Sequence, residues 1–215
     1  MKTLCTLLIL FIALTLSSYN GQSKSSIMKT KMQDSLMIAA ILEQDEDFLN
    51  QNLSRENVNK RYNVPVGTMR SWGDFGEMNH PIGGEGTLLH LAAYYGLPNS
   101  AKILIEKGAE VNAKNSEGLT PLQTAVSIYL SGTEEVQKVL IENKADMNFY
   151  VNMQPQVPLL FQYIWWNAYD LAKLAIENGA DVNMRTSDGG SILEFAERRG
   201  TPEIVRMLRA KGATK

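Results

Sequence analysis

Four amphipathic runs recur along the chain: SAKILIEKG from Ser100, EVQKVLIENK from Glu135, DLAKLAIENG from Asp170 and PEIVRMLRAKG from Pro202. Their apolar residues fall three and four apart with polar residues between them, which predicts a helix with one buried face in each run. Each run stops at a glycine or lysine followed by alanine: GAEVNAK at Gly108, KADMNFY at Lys144, GADVNMR at Gly179 and GAT at Gly212, spaced by 36, 35 and 33 residues. A second apolar series precedes them in phase: TLLHLAA at Thr87, TPLQTAV at Thr120, VPLLFQY at Val157 and SILEFAE at Ser191. Each unit therefore reads as a short helix, a turn, a second helix, a stop and an extended finger. Upstream, DSLMIAAILEQDEDFLNQNL has helical spacing at Leu36, Ala39, Ala40, Phe48 and Leu49.

The punctuation of these units has local physical causes. Thr120 and Ser191 stand where a hydroxyl caps free backbone N–H groups at a helix start. Pro121 follows at a first helical position, where its missing N–H is not needed. Gly108 and Gly179 fall just past the second helix, where the chain turns left-handed. Lys144 takes that place in one unit and departs from the pattern. A single helix pair buries too little surface to fold alone, so the units must stack.

Two motif series in phase over residues 84–215 resemble the ankyrin-repeat family. The resemblance implies an all-α solenoid of stacked helix-turn-helix units with extended fingers and N- and C-terminal caps. The units map to a capping unit at 34–60, an inserted loop at 61–84, and repeats at about 85–115, 116–150, 151–185 and 186–215. The polar last unit, with Glu197, Arg198, Arg199, Arg206, Arg209 and Lys211, fits a C-terminal cap. His90 takes the histidine place of the family motif, which implies a hydrogen bond to the backbone of a neighbouring repeat rather than chemistry. Gln123, Leu160 and Glu194 fill that place elsewhere, and His80 reads as a solvated loop residue.

The resemblance further implies that partners are held at the variable pair ending each first helix, and at the fingers. Transferred unit by unit, the pairs are Tyr94 and Tyr95, Ser127 and Ile128, Ile164 and Trp165, and Arg198 and Arg199, with Trp166 standing where Gly96 stands. Tyrosine, tryptophan and arginine are the residues enriched in interface hot spots. The protein-binding residues expected are thus Tyr94, Tyr95, Ile128, Trp165, Trp166, Arg198 and Arg199, with Trp72 from the inserted loop. The competing reading packs at least one of Trp165 and Trp166 between repeats. The loop, with Tyr62, Trp72 and Phe75, meets a partner or folds back as a lid. A second insertion, IYLSGT at 128–133, lengthens the turn within its repeat.

The N-terminal stretch has another character. One lysine precedes an apolar run of 13 residues from Leu4 to Leu16, followed by small residues. That is the layout of a signal peptide over residues 1–21, and the run is short of the roughly 20 residues that span a bilayer. Cleavage fits after Ser17, Ser18 or Gly21; an uncleaved anchor is the competing reading. The one cysteine, Cys5, lies inside this segment, and the polar stretch at 22–33 reads as a linker. Cleavage removes Lys2 and moves the net charge from −2 by one unit, to −3.

An exported chain without disulfides points to the bacterial periplasm or surface. A small negative charge argues against nucleic acid as a partner. No GxSxG, HExxH, Walker loop or CxxC occurs, the glycine-rich IGGEGT at 82–87 has no following lysine, and EQDED at 43–47 lacks the spacing of a calcium loop. No catalytic residue, cofactor or metal is expected. The expectation is a monomeric, exported, non-catalytic scaffold binding a protein partner, with no membrane span once processed. The alternatives are an inhibitor or immunity protein that neutralises a toxin or enzyme, a self-associating envelope protein, and a hydrolase using paired carboxylates.

Overall fold

The computed structural model describes residues 22–63, 85–127, 133–151, 155–199 and 201–215. These residues form ten helices. The chain divides into two units, 1–39 and 40–215. Helix α1 (Gln22–Glu43) begins inside the stretch 22–33, which composition alone reads as a linker. Its Gln, Lys, Met and Ala residues are strong helix formers, and this propensity outweighs the polar composition.

In the second unit, α2 (Glu46–Asn52) starts at Asp45, whose side chain accepts the Phe48 N–H at 3.0 Å. Four helix pairs follow: α3 (Leu88–Tyr94) with α4 (Pro98–Glu106), α5 (Pro121–Ser127) with α6 (Glu134–Glu142), α7 (Leu159–Trp165) with α8 (Tyr169–Glu177), and α9 (Ile192–Arg199) with α10 (Pro202–Ala210). Second helices pack on second helices throughout, and first helices on first between repeats one and two and between repeats three and four, while the strand Tyr150–Val151 contacts the first helices of both repeats two and three; the core is a ribbon of leucine, isoleucine, valine and alanine running through the pairs. In α3 every residue is buried. This is the stacked helix-turn-helix architecture expected.

The stop after each second helix uses one geometry. Gly108, Lys144, Gly179 and Gly212 have φ of 96°, 67°, 95° and 82°, and the next alanine's N–H returns to the last turn of the helix. Lys144 thus adopts the left-handed conformation without being glycine.

An asparagine in each finger then ties one unit to the next. Asn59 donates to the Gly108 carbonyl at 3.0 Å and accepts from the Glu110 N–H at 2.8 Å. Asn112 repeats this on Lys144 and Asp146, and Asn183 on Gly212 and Thr214. Asn148 accepts from the Asp181 N–H at 2.9 Å. Asn59 shows that the first unit already carries a finger, in VNK rather than after a GA signal. The base of the inserted loop is closed by β1 (Tyr62–Asn63) pairing antiparallel with β2 (Glu85–Gly86), Tyr62 opposite Gly86.

Repeat three has its own helix start. The first helices of repeats two and four begin on side-chain caps: Thr120 N–H to Gln123 Oε1 with Gln123 N–H back to Thr120 Oγ1, and Glu194 N–H to Ser191 Oγ. Val157 and Pro158 have no hydroxyl to offer. Instead β3 (Tyr150–Val151) pairs antiparallel with β4 (Val157–Pro158), and the Leu159 N–H donates to the Phe149 carbonyl at 3.1 Å.

Candidate protein-interaction site

The ends of the first helices set the geometry of this face. The turn after α3 is made by Gly96 at φ 62°, and the turn after α7 by Asn167 at φ 60°. Asn167 therefore stands where Gly96 stands, which corrects the expected register of repeat three by one residue. The pair matching Tyr94 and Tyr95 is Trp165 and Trp166, not Ile164 and Trp165. Ile164 is fully buried, and Phe161, not Leu160, takes the place of His90. The slip arises because the hydroxyl that marks the helix start in the other repeats is missing at Val157–Pro158.

Both tryptophans are exposed, Trp165 at 47% and Trp166 at 43%, so packing does not bury either of them. Trp165 lies on a ring stack. Its ring is 5.5 Å from Phe195 at 8°, and Phe195 is 4.2 Å from Phe161 at 26°. The Arg199 guanidinium covers the Phe195 ring at 5.7 Å, and its Nη2 donates to the Trp165 carbonyl at 2.5 Å. Arg199 therefore braces the stack while its side chain stays exposed. Arg198, beside it, is exposed and makes no ion pair among the described residues.

In repeat one the two tyrosines separate. Tyr94 is buried, and burial raises its hydroxyl pKa; Tyr95 is exposed and meets the Tyr94 ring edge-on at 4.9 Å. Tyr150, exposed at 48% on β3, adds an aromatic the sequence reading missed. Its signal was an aromatic pair, NFYV, in a finger where the neighbouring units carry NAK and NMR. Two other expected residues, Trp72 and Ile128, lie outside the described residues, as do 1–21 and 64–84.

No reactive geometry surrounds His90. Its Nε2 donates to the Leu119 carbonyl of the next repeat at 2.9 Å, and Nδ1 accepts the Thr87 N–H at 3.2 Å. Burial holds its pKa below the usual 6.5, so the ring stays neutral. At the other end, Lys215 and Arg209 clamp the Glu197 carboxylate at 2.9 and 2.7 Å and hold its pKa down. Among the described residues no three of His, Cys, Asp and Glu converge to hold a metal, and no helix is long and apolar enough to cross a membrane.

Residues 36–151 match the family of ankyrin repeats, described as three copies. The B-cell lymphoma 3 protein homolog of Mus musculus is 30% identical over 131 residues, 59% of this chain and 28% of the relative. The protein phosphatase 1 regulatory subunit 12A of Mus musculus is 32% identical over 111 residues, 47% of this chain and 10% of the relative. The neurogenic locus notch homolog protein 1 of Homo sapiens is 33% identical over 132 residues, 60% of this chain and 5% of the relative. The aligned region thus spans between 5% and 28% of these relatives' lengths.

Proposed function

This chain belongs to the ankyrin-repeat family, whose domains are typically non-catalytic modules that bind proteins, and on that premise we propose that it is an exported scaffold holding a protein partner against the ends of its first helices and its fingers. The observation that carries the binding face is the exposed tryptophan pair, of which Trp165 lies on a pre-formed ring stack. Exposed tryptophans are unfavourable on a surface that meets only water, and rigid rings lose little conformational freedom on docking. Arg198, exposed and with no ion pair among the described residues, adds positive charge at the end of α9, which favours a partner with an acidic edge. Tyr95 and Tyr150 extend the aromatic surface toward repeat one and the fingers. One relative's name, a regulatory subunit of a phosphatase, describes a protein that works by assembling with another.

Affinity capture with the full chain from an envelope fraction tests the face. Trp165→Ala with Arg198→Ala is expected to weaken capture by ~2 kcal/mol or more, the range of interface hot spots. Lys138→Ala on α6, a second helix, is expected to leave capture unchanged. Loss of capture with Lys138→Ala, and none with the double variant, assigns the partner to the opposite face. Export rests on the apolar run Leu4–Leu16. Intact mass of the protein recovered outside the cytoplasm is expected to place the mature N-terminus between Ser18 and Gln22; retention of Met1 in a membrane fraction overturns it.

A further inference from the structure

The turns that join first to second helices share one backbone geometry. The N–H groups of Asp45, Leu97, Ala168 and Thr201 each return to a carbonyl five residues earlier, on Ala40, Ala92, Tyr163 and Ala196. Gln44, Gly96 and Asn167, one residue before the first three of these donors, have φ of 52°, 62° and 60°. The match sets the ends of the first helices in register, so that Glu43, Tyr95, Trp166 and Arg199 occupy one place in four units. The first of these turns lies beside the second: α2 packs on α4, and Asn99 donates to Glu46 at 3.2 Å. Four of the five large apolar residues exposed among the described residues fall on this edge: Leu42, Tyr95, Trp165 and Trp166. The edge is also ordered by charge. At one end Glu43 is exposed and followed by Asp45, Glu46 and Asp47; at the other, Arg198 and Arg199 are exposed. None of these six enters an ion pair among the described residues.

From this order we propose that the partner on this edge is a second copy of the chain, docked antiparallel about a two-fold axis at repeat two, resting on the reading of this face as the binding face. The sequence of turns is acidic, tyrosine, repeat two, tryptophan, basic, and its reverse is its own complement. The two-fold brings the Glu43 turn of each copy to Arg198 and Arg199 of the other, and Tyr95 of each to Trp166 of the other. Every such contact is then made twice, as in any isologous interface. Aromatic rings fall at the centre and ion pairs at the rim, the arrangement of stable interfaces. Charge fixes the direction: a parallel arrangement sets Glu43 against Glu43 and Arg199 against Arg199. A head-to-tail arrangement that joins only the charged ends leaves the tyrosine and the tryptophans in water. An unrelated partner has to supply a matching surface, whereas the chain carries its own match. The assembly is thus a dimer, in place of the monomer expected from the sequence.

Sedimentation equilibrium of the purified full chain tests this. A species of twice the chain mass is expected, weakening as salt rises. Glu43→Arg and Arg198→Glu are each expected to weaken the dimer by about tenfold or more, since each sets like charges face to face at both ends. Arg199 is left in place because it braces the ring stack. An equal mixture of the two variants is expected to restore the dimer, because every reversed charge then meets its opposite. Tyr95→Ala is expected to weaken the dimer by a similar factor while leaving its salt dependence unchanged, and thermal melts check that each variant is folded. A chain that stays single at every concentration overturns the proposal. So do dimers that neither charge variant weakens, which assemble through another surface, and species that grow beyond two copies, which join head to tail. Capture of a different protein by a single chain, lost with Trp165→Ala and Arg198→Ala together, keeps the binding face and overturns only the second copy as its occupant.

Discussion

The His90 ring is held as a neutral donor and acceptor bridging two repeats, and this fixes how it responds to substitution and to pH. His90→Ala leaves the Leu119 carbonyl and the Thr87 N–H without partners, a loss of about 1–3 kcal/mol, readable as a lower denaturation midpoint with partner capture unchanged below the transition. Burial depresses the ring's pKa, so the native state stays neutral where the unfolded chain takes a proton. As pH falls through the ordinary 6.5, the unfolded state binds more protons and stability declines; above that value the contribution is fully present. Gln123 performs the same capping with a side chain that does not titrate. His90→Gln is therefore expected to flatten the pH dependence of the melting temperature between about pH 5 and 7. An unaltered slope would show that other groups set it.

Single elements carry their own strain, and the second-helix stop of repeat two is the clearest case. Lys144 holds φ 67° where the equivalent residues are glycine, and its side chain donates only to Asn178 at the exposed surface, at 3.3 Å. Lys144→Gly is expected to stabilise by about 1 kcal/mol through relief of the left-handed strain, measured by denaturant unfolding; destabilisation would mean the lysine contact outweighs that strain. The same element shows what was legible in the sequence. The helix pairs were legible because periodicity and the stop after each second helix are local signals. The register of repeat three was not local: with no hydroxyl at Val157–Pro158, the helix start is fixed by a strand partner, Phe149–Val151, that spacing does not reveal. The ring stack was equally hidden, since Phe161, Trp165 and Phe195 meet only once two repeats are stacked. The contacts of Arg199 with the Phe195 ring and the Trp165 carbonyl were hidden for the same reason.

Across the stacked repeats, stability is a chain of nearest-neighbour junctions, so the weakest junction decides whether the stack melts as one body. Between repeats one and two, His90 bonds to Leu119, Asn112 makes two finger bonds, and the Ser116 N–H reaches the Glu85 carbonyl. Between repeats two and three, the Tyr163 bond to Gln137, the finger bond of Asn148 and the Lys144 bond to Asn178 work against the three unpartnered polar atoms of Thr124 and Gln162. Removing a finger asparagine takes away a similar local contribution at either place but starts from different reserves. Asn112→Ala is expected to lower one cooperative transition by about 1–3 kcal/mol. Asn148→Ala is expected to uncouple the two halves, so that calorimetry resolves two transitions and amide protection falls first in α7 to α10. A two-state melt has equal calorimetric and van't Hoff enthalpies. If both variants keep that equality, the second junction is as strong as the first, and the unpartnered carboxamide does not weaken the stack.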